Sequence, residues 1–165
     1  MSLVRRATPE DAEELLRLRQ VMIDSVFTDR SGSGSDTSGS DTSWHAESVP
    51  TVRRRLGETD GNFVAFVVDH PERLGGLAAL AVGTLEYRIG RAGNPHGRAG
   101  QVFSVATDPD QRRKGYARAC MEALLDWFRE QGAASVDLNA SAEAEPLYAS
   151  LGFVRKPDPS MRLNL

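Results

Sequence analysis

The sequence predicts an α+β fold, a mixed α/β sandwich in which helices cover one mixed sheet. Two long segments repeat apolar residues at helical spacing, β-rich runs lie between them, and strands alternate with helices towards the C-terminus. The chain has 165 residues, of which 40% are hydrophobic, and this suffices for one core but not comfortably for two. We therefore expect a single domain over residues 1–165.

The chain opens with a predicted strand that leads directly into a helix. "LVRRA" predicts the short strand, and "TPEDAEELLRLRQVMIDSVF" predicts the helix, with Thr8 as N-cap and Pro9 at the first helical position. Apolar side chains recur on one face of this helix: Leu15, Leu18, Met22 and Val26.

Residues 31–43 form a low-complexity segment, "SGSGSDTSGSDTS". This composition cannot bury enough apolar surface to offset the entropy of ordering, so we expect a flexible loop within the domain, with a lid over a substrate as the alternative. Trp44 follows the segment and is expected to anchor it to the core, a ligand cap being the other interpretation. Ser48 is expected to cap a second helix.

The middle of the chain predicts a β-hairpin. "NFVAFVVD" and "GGLAALAVGTLEYRI" are β-rich, and the turn-like "HPERLG" joins them. "GRAGNPHGRAG" predicts a loop because of its Gly, Asn and Pro content. His96 in this loop has no second His, Cys or carboxylate at metal-ligand spacing, so no metal site is predicted.

The C-terminal part predicts strands and helices in alternation. In chain order they are the strand "QVFSVAT", the helix "GYARACMEALLDWFREQG", the strand "ASVDLNA", the short helix "EAEPLYASLG" and two final strands, "FVRK" and "MRLNL". The long helix places one apolar stripe against the sheet: Tyr116, Cys120, Ala123, Leu124, Trp127 and Phe128. Cys120, the single cysteine, is therefore expected in the core and not in a disulfide.

The charge balance excludes some classes of partner. Charged residues make up 26% of the chain and the net charge is -3, so no chain-wide positive field favours nucleic acid or an anionic membrane. The N-terminal residues become charged before any apolar run of signal-peptide length, and no later run reaches the length of a membrane span. We expect a cytoplasmic protein. A homodimer is compatible with the sequence, which carries no signal for oligomeric state.

A local basic turn predicts an anion-binding site. "RRKG" lies between a strand that ends in "TDPDQ" and the start of the long helix, where backbone N–H groups lack partners and point the same way. Gly115 permits close approach of a ligand, and the neighbouring cations add positive charge, which favours phosphate oxygens. The alternative is a basic run on the surface with no ligand.

These residues resemble a known family. "RRKGYA", residues 112–117, resembles the R/Q-x-x-G-x-G/A signature of the GNAT superfamily of N-acetyltransferases, and "EPLYASLGF" resembles the L-Y-x-x-x-G-F block of that family. The resemblance implies the GNAT acyl-CoA N-acyltransferase fold, with a mostly antiparallel sheet, one splayed parallel strand pair and helices on both faces. It also implies acetyl-coenzyme A as co-substrate and no metal.

The resemblance assigns residues to the coenzyme. Splayed strands leave amides unpaired, and the pantetheine arm is expected to pair with the backbone of Val105, Ala106 and Thr107. The pyrophosphate is expected at the residues of the basic turn and helix start: Arg112, Arg113, Lys114, Gly115, Tyr116, Ala117 and Arg118. Within this set, Arg112 is expected mostly to shape the loop, while the other cations meet the phosphates. Ser141 stands where the family often has Asn, and Asn139 is the nearby substitute for that contact.

Catalytic roles follow from the chemistry of a thioester and an amine. Tyr148, in the L-Y-x-x-x-G-F block, is the expected general acid, because an ordinary tyrosine is protonated at pH 7 and can donate to a leaving thiolate. A backbone N–H near Val105 is the expected oxyanion donor. Gln101 occupies the position at which some family members carry a glutamate base, and it cannot hold a proton. Glu86, Asp137 and a water relay remain as alternatives for the base.

The predicted function is acetyl transfer to the primary amine of a small molecule or peptide. A coenzyme-binding or regulatory module of the same fold, inactive for want of a base, is the alternative. Residues 27–47 and the two final strands are expected to form the walls around the acceptor.

Overall fold

The computed structural model describes residues 2–30 and 41–165, and within these ranges four α-helices accompany a five-stranded sheet. The elements are β1 (Arg5–Arg6), α1 (Ala12–Arg30), α2 (His45–Gly57), β2 (Phe63–Asp69), β3 (Leu77–Tyr87), β4 (Arg98–Thr107), α3 (Tyr116–Glu130), β5 (Val136–Leu138) and α4 (Glu145–Ser150). Short 3₁₀ turns, Pro9–Asp11 and Pro109–Gln111, lie before α1 and α3.

The sheet has the strand order β1-β2-β3-β4-β5, so each strand lies beside its predecessor in the chain. The first four strands pair antiparallel, and β5 runs parallel to β4. The predicted hairpin is confirmed, with Val67 opposite Leu80. Because β4 and β5 are parallel, their connection must cross over the sheet, and α3 makes that crossover.

Helices cover both faces of the sheet, as the predicted fold class requires. On one face α3 and α4 pack on a cluster that includes Val64, Ala81, Val102, Leu124 and Tyr148. On the other face α1 and α2 pack on a second cluster that includes Leu15, Leu18, Leu56, Val67 and Leu80. Alternation of side chains along the central strands supplies both clusters.

The long helix α3 forms as predicted and lies very close to the sheet. Phe128 is 1% exposed, and a Cβ atom at Gly100 would lie 2.9 Å from its ring. A Cβ atom at Gly83 would lie 2.8 Å from the same ring, so glycine is required at both positions for this approach. Cys120 is fully buried, and desolvation raises the pKa of its thiol to about 12. Tyr116 and Ala123 of the predicted stripe are only partly buried.

Two predicted helix starts differ from the structure. Thr8 precedes a 3₁₀ turn, and the α-helix begins only at Ala12. Ser48 does not cap α2, which starts at His45. The reason is a tertiary contact, since the Trp44 indole N–H donates to the Asp41 carbonyl at 2.9 Å and to Gln20 Oε1 at 3.2 Å. Trp44 is therefore bonded to α1 through Gln20, which supports its expected role as an anchor.

One predicted strand boundary was wrong, and two predicted strands do not form. β4 begins at Arg98, inside the predicted loop, because Arg98 pairs with Tyr87. The two final strands, residues 153–156 and 161–165, are absent from the described structure, where this segment is irregular and mostly exposed. The predicted flexible loop at 31–43 falls largely on residues 31–40, outside the described ranges.

In the described part of the chain, none of the helices has both the length and the apolar character needed to cross a bilayer.

Candidate active site

A gap opens between β4 and β5. The two strands pair only over Gly100 with Val136, Gln101 with Asp137, and Val102 with Leu138. Beyond this point β5 ends, whereas β4 continues to Thr107. Within the described residues, the β5-facing edge of β4 therefore has no strand partner after Val102.

A β-bulge at Phe103 decides which backbone groups face the gap. On β3, Val82 lies opposite Ser104 and the next residue lies opposite Val102, so Phe103 has no partner. The Asp108 N–H donates to the Ala78 carbonyl at 2.8 Å, which fixes the alternation after the bulge. By that alternation, the amides of Val105 and Thr107 point into the gap. Ala106 was predicted to face the gap as well, but its position opposite Leu80 directs its amide towards β3.

The start of α3 is open at its backbone N–H groups. Gly115 precedes the helix with φ 76°, in the left-handed region, and no side chain caps the helix. The first turn of α3 holds no acidic residue. A pocket of about 170 Å³ lies at this helix start and extends from β4 to α4. Its lining residues are Thr107, Gln111, Arg112, Arg113, Gly115, Tyr116, Ala117, Arg118 and Leu147.

Arg113 has an unusual backbone conformation. Its φ of 63° places it in the left-handed region, where a residue other than glycine loses about 1–2 kcal/mol. Gly115, two residues further on, is also left-handed, and both residues line the pocket at the start of α3.

The basic side chains at the turn divide into two pairs, and the division differs from the prediction. Within the described residues, the guanidinium groups of Arg112 and Arg113 form no ion pair or hydrogen bond. Lys114 Nζ instead donates to Gln111 Oε1 at 2.7 Å, and Arg118 pairs with Glu122 at 3.1 Å. Lys114 therefore holds the loop, the role expected of Arg112, while Arg112 and Arg113 are available to a ligand.

A partly buried ion-pair network holds the segment that precedes the turn. Asp108, 8% exposed, accepts hydrogen bonds from Arg17 at 2.8 Å and from Arg73 at 2.9 Å. Glu14 accepts from Arg17 at 2.8 Å and from the Leu77 N–H at 2.9 Å. Burial raises the pKa of the Glu14 carboxyl, but these hydrogen bonds and the nearby guanidinium charges bring it below its usual value. The sequence carries no signal for this network, because the bonds to Asp108 join residues 91 and 35 positions apart.

His70, Asp108 and Asp110 lie together, with one ligand-type atom from each within 4.8 Å of the others. The Glu72 N–H donates to His70 Nδ1 at 3.2 Å, so the ring proton is on Nε2, which donates to Asp110 at 3.0 Å. Two arginines already compensate the charge of Asp108. The bond between His70 and Asp110 is thus a second contact that holds the turn, although the Asp110 side chain is 59% exposed. His96, in the predicted loop, is exposed.

Tyr148 lies on α4. It belongs to the same apolar cluster as Val102, the last residue of β4 that pairs with β5. Its side chain is largely buried, with the residue 7% exposed, and desolvation raises the pKa of its phenol. The phenol is therefore protonated at neutral pH, and no hydrogen bond engages it within the described residues. Ser141 Oγ accepts the Ala144 N–H at 3.2 Å and so stabilises the turn before α4, while Asn139 is exposed at the end of β5.

The two carboxylates predicted as alternative bases share one guanidinium group. Arg88 Nη2 lies 2.6 Å from Glu86 Oε2 and 3.9 Å from Asp137 Oδ2. Asp137 also lies 3.6 Å from Lys156 Nζ. In the sheet register Asp137 is paired with Gln101, immediately before the gap, whereas Glu86 is paired with Ala99, further from it.

Comparisons with known proteins bear on this site. The model of the acetyltransferase (GNAT) family matches residues 24–153. The ribosomal protein bS18-alanine N-acetyltransferase of Escherichia coli strain K12 is 42% identical over 55 residues, which span 32% of this chain and 37% of that relative. Its counterpart from Salmonella typhimurium LT2 is 38% identical over 55 residues, with the same coverage of both chains. These matches span well under half the length of the curated relatives.

Solved structures share the overall fold. A GCN5-related N-acetyltransferase from Ralstonia eutropha JMP134 superposes with a TM-score of 0.75 at 21% identity, covering 97% of both chains. A predicted acetyltransferase with acetyl-CoA from Clostridium acetobutylicum gives a TM-score of 0.74 at 20% identity, covering 98% of this chain and 94% of the other.

Proposed function

Because the chain belongs to the GNAT acetyltransferase family, we propose that it transfers the acetyl group of acetyl-coenzyme A to a primary amine. The observation that carries this proposal is the continuity of two features. The pocket at the open start of α3 reaches Thr107, the last residue of β4, whose amide points into the gap between β4 and β5, and it reaches α4 at Leu147.

The pocket suits the two polar parts of the coenzyme. The amides of Val105 and Thr107 would pair with the pantetheine arm as an added strand does. The N–H groups around Gly115 would bind the pyrophosphate, with Arg112 and Arg113 supplying unpaired positive charge.

The chain's own groups can serve each step of acyl transfer. As the amine nitrogen bonds to the thioester carbonyl carbon, the Val105 N–H would donate to the developing oxyanion. The carbon–sulfur bond then breaks, and Tyr148 would give its proton to the leaving thiolate. The proton released by the amine needs a base, for which Asp137 and Glu86 remain the candidates. The position of Asp137 beside the gap supports it over Glu86.

Of the two classes of acceptor, a peptide amine is proposed in preference to the amine of a small molecule. The support is the name of the curated relatives, which are alanine N-acetyltransferases of a ribosomal protein. Peptides with an N-terminal alanine therefore come first in a panel of acceptors, followed by amino sugars and polyamines.

The test has two measurements, each made on the wild type and on Tyr148→Phe. Calorimetry gives the affinity for acetyl-coenzyme A, and a turnover assay gives kcat with each acceptor of the panel. We expect kcat to fall about 100-fold or more in Tyr148→Phe, with little change in coenzyme affinity, because only the proton donor is lost. Tyr87→Phe is the matched control, since Tyr87 is 60% exposed and pairs with Arg98, the first residue of β4, far from the gap, and its turnover should match the wild type.

Each other outcome has a defined meaning. Equal rates in the wild type and Tyr148→Phe would remove Tyr148 as the acid. Absence of heat with acetyl-coenzyme A would contradict the whole proposal. Coenzyme binding without turnover on any amine would favour the alternative of a regulatory module.

A further inference from the structure

Arg19 of α1 is a partly buried cation that has no countercharge among the described residues. Its Nη1 donates to Ser104 Oγ on β4, and within those residues no carboxylate forms an ion pair with it. Desolvation lowers the pKa of this guanidinium, and no neighbouring acid offsets that effect. Arg17, on the same helix, is by contrast bonded to Glu14 and Asp108. Because burial of an uncompensated charge is costly, Arg19 is fitted to an anion from outside the chain.

The guanidinium of Arg19 lies at the bulge of β4. Ser104 is paired with a β3 residue of the cluster beneath α1 and α2, so its side chain points to that face of the sheet. The ring of Phe103 lies 6.0 Å from that of Phe63, which packs on the same cluster. Phe103 is 41% exposed, so the α1–α2 face of the bulge is open to a ligand. Arg19 therefore lies next to Val105, whose amide points into the gap.

Asp137, the candidate base beside the gap, lies on the same face of the sheet. Its neighbours Val136 and Leu138 pack on the α3 side, and successive side chains of a strand point to opposite faces. Asp137 therefore points to the α1–α2 face, as does Gln101, with which it is paired. Ser104 lies roughly 10 Å along β4 from Gln101, at about 3.3 Å per residue. This face thus offers a negative group and a positive group at the separation of a small dipolar molecule.

We propose that Arg19 binds a carboxylate of the acceptor, so that the substrate class is an amine with a carboxylate close to it. The inference rests on the proposed function, because it concerns the acceptor of that reaction. The amine lies towards Asp137 and the thioester, and the carboxylate accepts hydrogen bonds from the guanidinium that Ser104 holds. A single guanidinium matches a carboxylate in charge and in planar geometry. The carboxylate is either that of a free amino acid or an acidic side chain near the N-terminus of a peptide.

The first test compares acceptors that differ only in a carboxylate. The peptides Ala-Glu-Ala-amide and Ala-Gln-Ala-amide form one pair, and alanine and alaninamide form the other. We expect kcat/KM of the wild type to be about 10-fold or more higher for the carboxylate member of one pair. A preference in the peptide pair assigns the carboxylate to an acidic side chain, and a preference in the alanine pair assigns it to the α-carboxylate. Equal values within both pairs would overturn the inference and leave acetyl transfer intact.

Variants of Arg19 identify the group that causes the preference. Arg19→Gln should abolish it, mainly through a higher KM for the carboxylate member, and Arg19→Lys should retain part of it. Arg53→Gln is the matched control, because it removes an exposed arginine of α2 and should keep the full preference. Ser104→Ala removes the contact with β4 but leaves the guanidinium, so part of the preference should remain. If Ser104→Ala and Arg19→Gln lower kcat/KM equally for both members of a pair, Arg19 only supports β4 and the inference is wrong.

A binding measurement separates this inference from the proposed function. Calorimetry measures the affinity for both members of each pair with the free protein and with its coenzyme A complex, neither of which can transfer an acetyl group. Tighter binding of the carboxylate member by the wild type, but not by Arg19→Gln, supports the carboxylate site independently of turnover. Equal affinity for both members of each pair overturns it, whether or not acetyl transfer is observed. The carboxylate site and the acetyltransferase activity can therefore fail separately.

Discussion

The two long helices of this protein begin in contrasting ways after similar sequences. Each follows a strand and a proline-containing 3₁₀ turn, Pro9–Asp11 before α1 and Pro109–Gln111 before α3. At α1, Asp11 turns back to accept the Thr8 N–H at 2.8 Å, and Arg5 holds the same carboxylate. At α3, Gly115 precedes a helix start with no side-chain cap.

The distribution of charge follows the same contrast. The first turn of α1 carries acidic residues, which stabilise the positive end of a helix, and the first turn of α3 carries none. Arginines flank α3 instead, where they add to the positive potential. At α1, the chain's own carboxylates satisfy the N–H groups and the positive charge of the helix start. At α3, the N–H groups have no side-chain cap and the nearby charge is positive, which suits an external anion.

The largest expected effect is a loss of coenzyme affinity in Gly115→Asp, which places a carboxylate at the uncapped start of α3. The new carboxylate would occupy the proposed pyrophosphate site, so acetyl-coenzyme A should bind about 100-fold more weakly by calorimetry, or about 3 kcal/mol. Stability should fall by about 1 kcal/mol, because a Cβ atom at Gly115 meets nothing within 4 Å but the left-handed φ of 76° disfavours a residue other than glycine.

Gly75→Asp is the control for this prediction. Gly75 has φ 77° and equally open surroundings, but it lies in the β2–β3 connection. It should leave coenzyme affinity unchanged. Equal affinity in Gly115→Asp and the wild type would show that the helix start is not the anion site.

The converse change removes the carboxylate that satisfies the N–H groups before α1. Asp11→Asn removes the charge that pairs with Arg5 and weakens the bond to the Thr8 N–H, at a residue only 6% exposed. We expect the free energy of unfolding in urea to fall by about 2 kcal/mol, with coenzyme affinity unchanged. Asp126→Asn, which breaks an exposed pair with Arg129, should cost less than about 0.5 kcal/mol. A similar loss in both variants would contradict the structural role given to Asp11.

Arg113 has two opposite effects. Its left-handed backbone conformation lowers the stability of the fold, whereas its charge favours binding of the coenzyme. Arg113→Gly should raise the free energy of unfolding by about 1 kcal/mol and weaken coenzyme binding about fivefold. Arg112→Gly is the matched control, since Arg112 has φ -70°. It should weaken binding to a similar degree without any gain in stability. A loss of stability in Arg113→Gly would show that the left-handed residue carries no strain.

The smallest expected effect is a loss of folding stability at acidic pH, caused by the carboxyl groups at the start of α1. Burial raises the pKa of Asp11, but the hydrogen bonds from Arg5 and Thr8 bring it below its usual value, and Glu14 is also lowered on balance. A carboxyl with a lowered folded pKa stabilises the fold above its unfolded pKa and loses this contribution as the pH falls. The urea midpoint should therefore drop below pH about 4.5, and the drop should be smaller in Asp11→Asn/Glu14→Gln.

Local chemistry made much of the site predictable. The basic turn, the glycine before α3 and the helix that follows are contiguous in the chain, so their residue types already indicate an anion site. The periodicity of α3 also predicted Cys120 in the core, and the structure buries it completely. The roles assigned to Tyr148 and to the turn cations stay predictions.

Contacts between distant residues were not predictable in this way. Arg88 joins Glu86 to Asp137, two carboxylates that the sequence could only propose separately. The bulge at Phe103 selects Val105 and Thr107, and not Ala106, for the gap, because one extra residue inverts the alternation of a strand. Asp108 depends on Arg17 and Arg73, which are far from it along the chain.

The sequence by itself determined the order of the four helices and of the five strands of the sheet, the basic turn before α3, and the family that the motifs resemble. These properties depend on neighbouring residues, because backbone propensity, capping and periodicity act over a few positions. Only the tertiary structure decided the register of β4, the sharing of arginines between carboxylates and the absence of the two final strands. A strand or an ion pair exists only where a partner is brought beside it, and that partner is supplied by the fold.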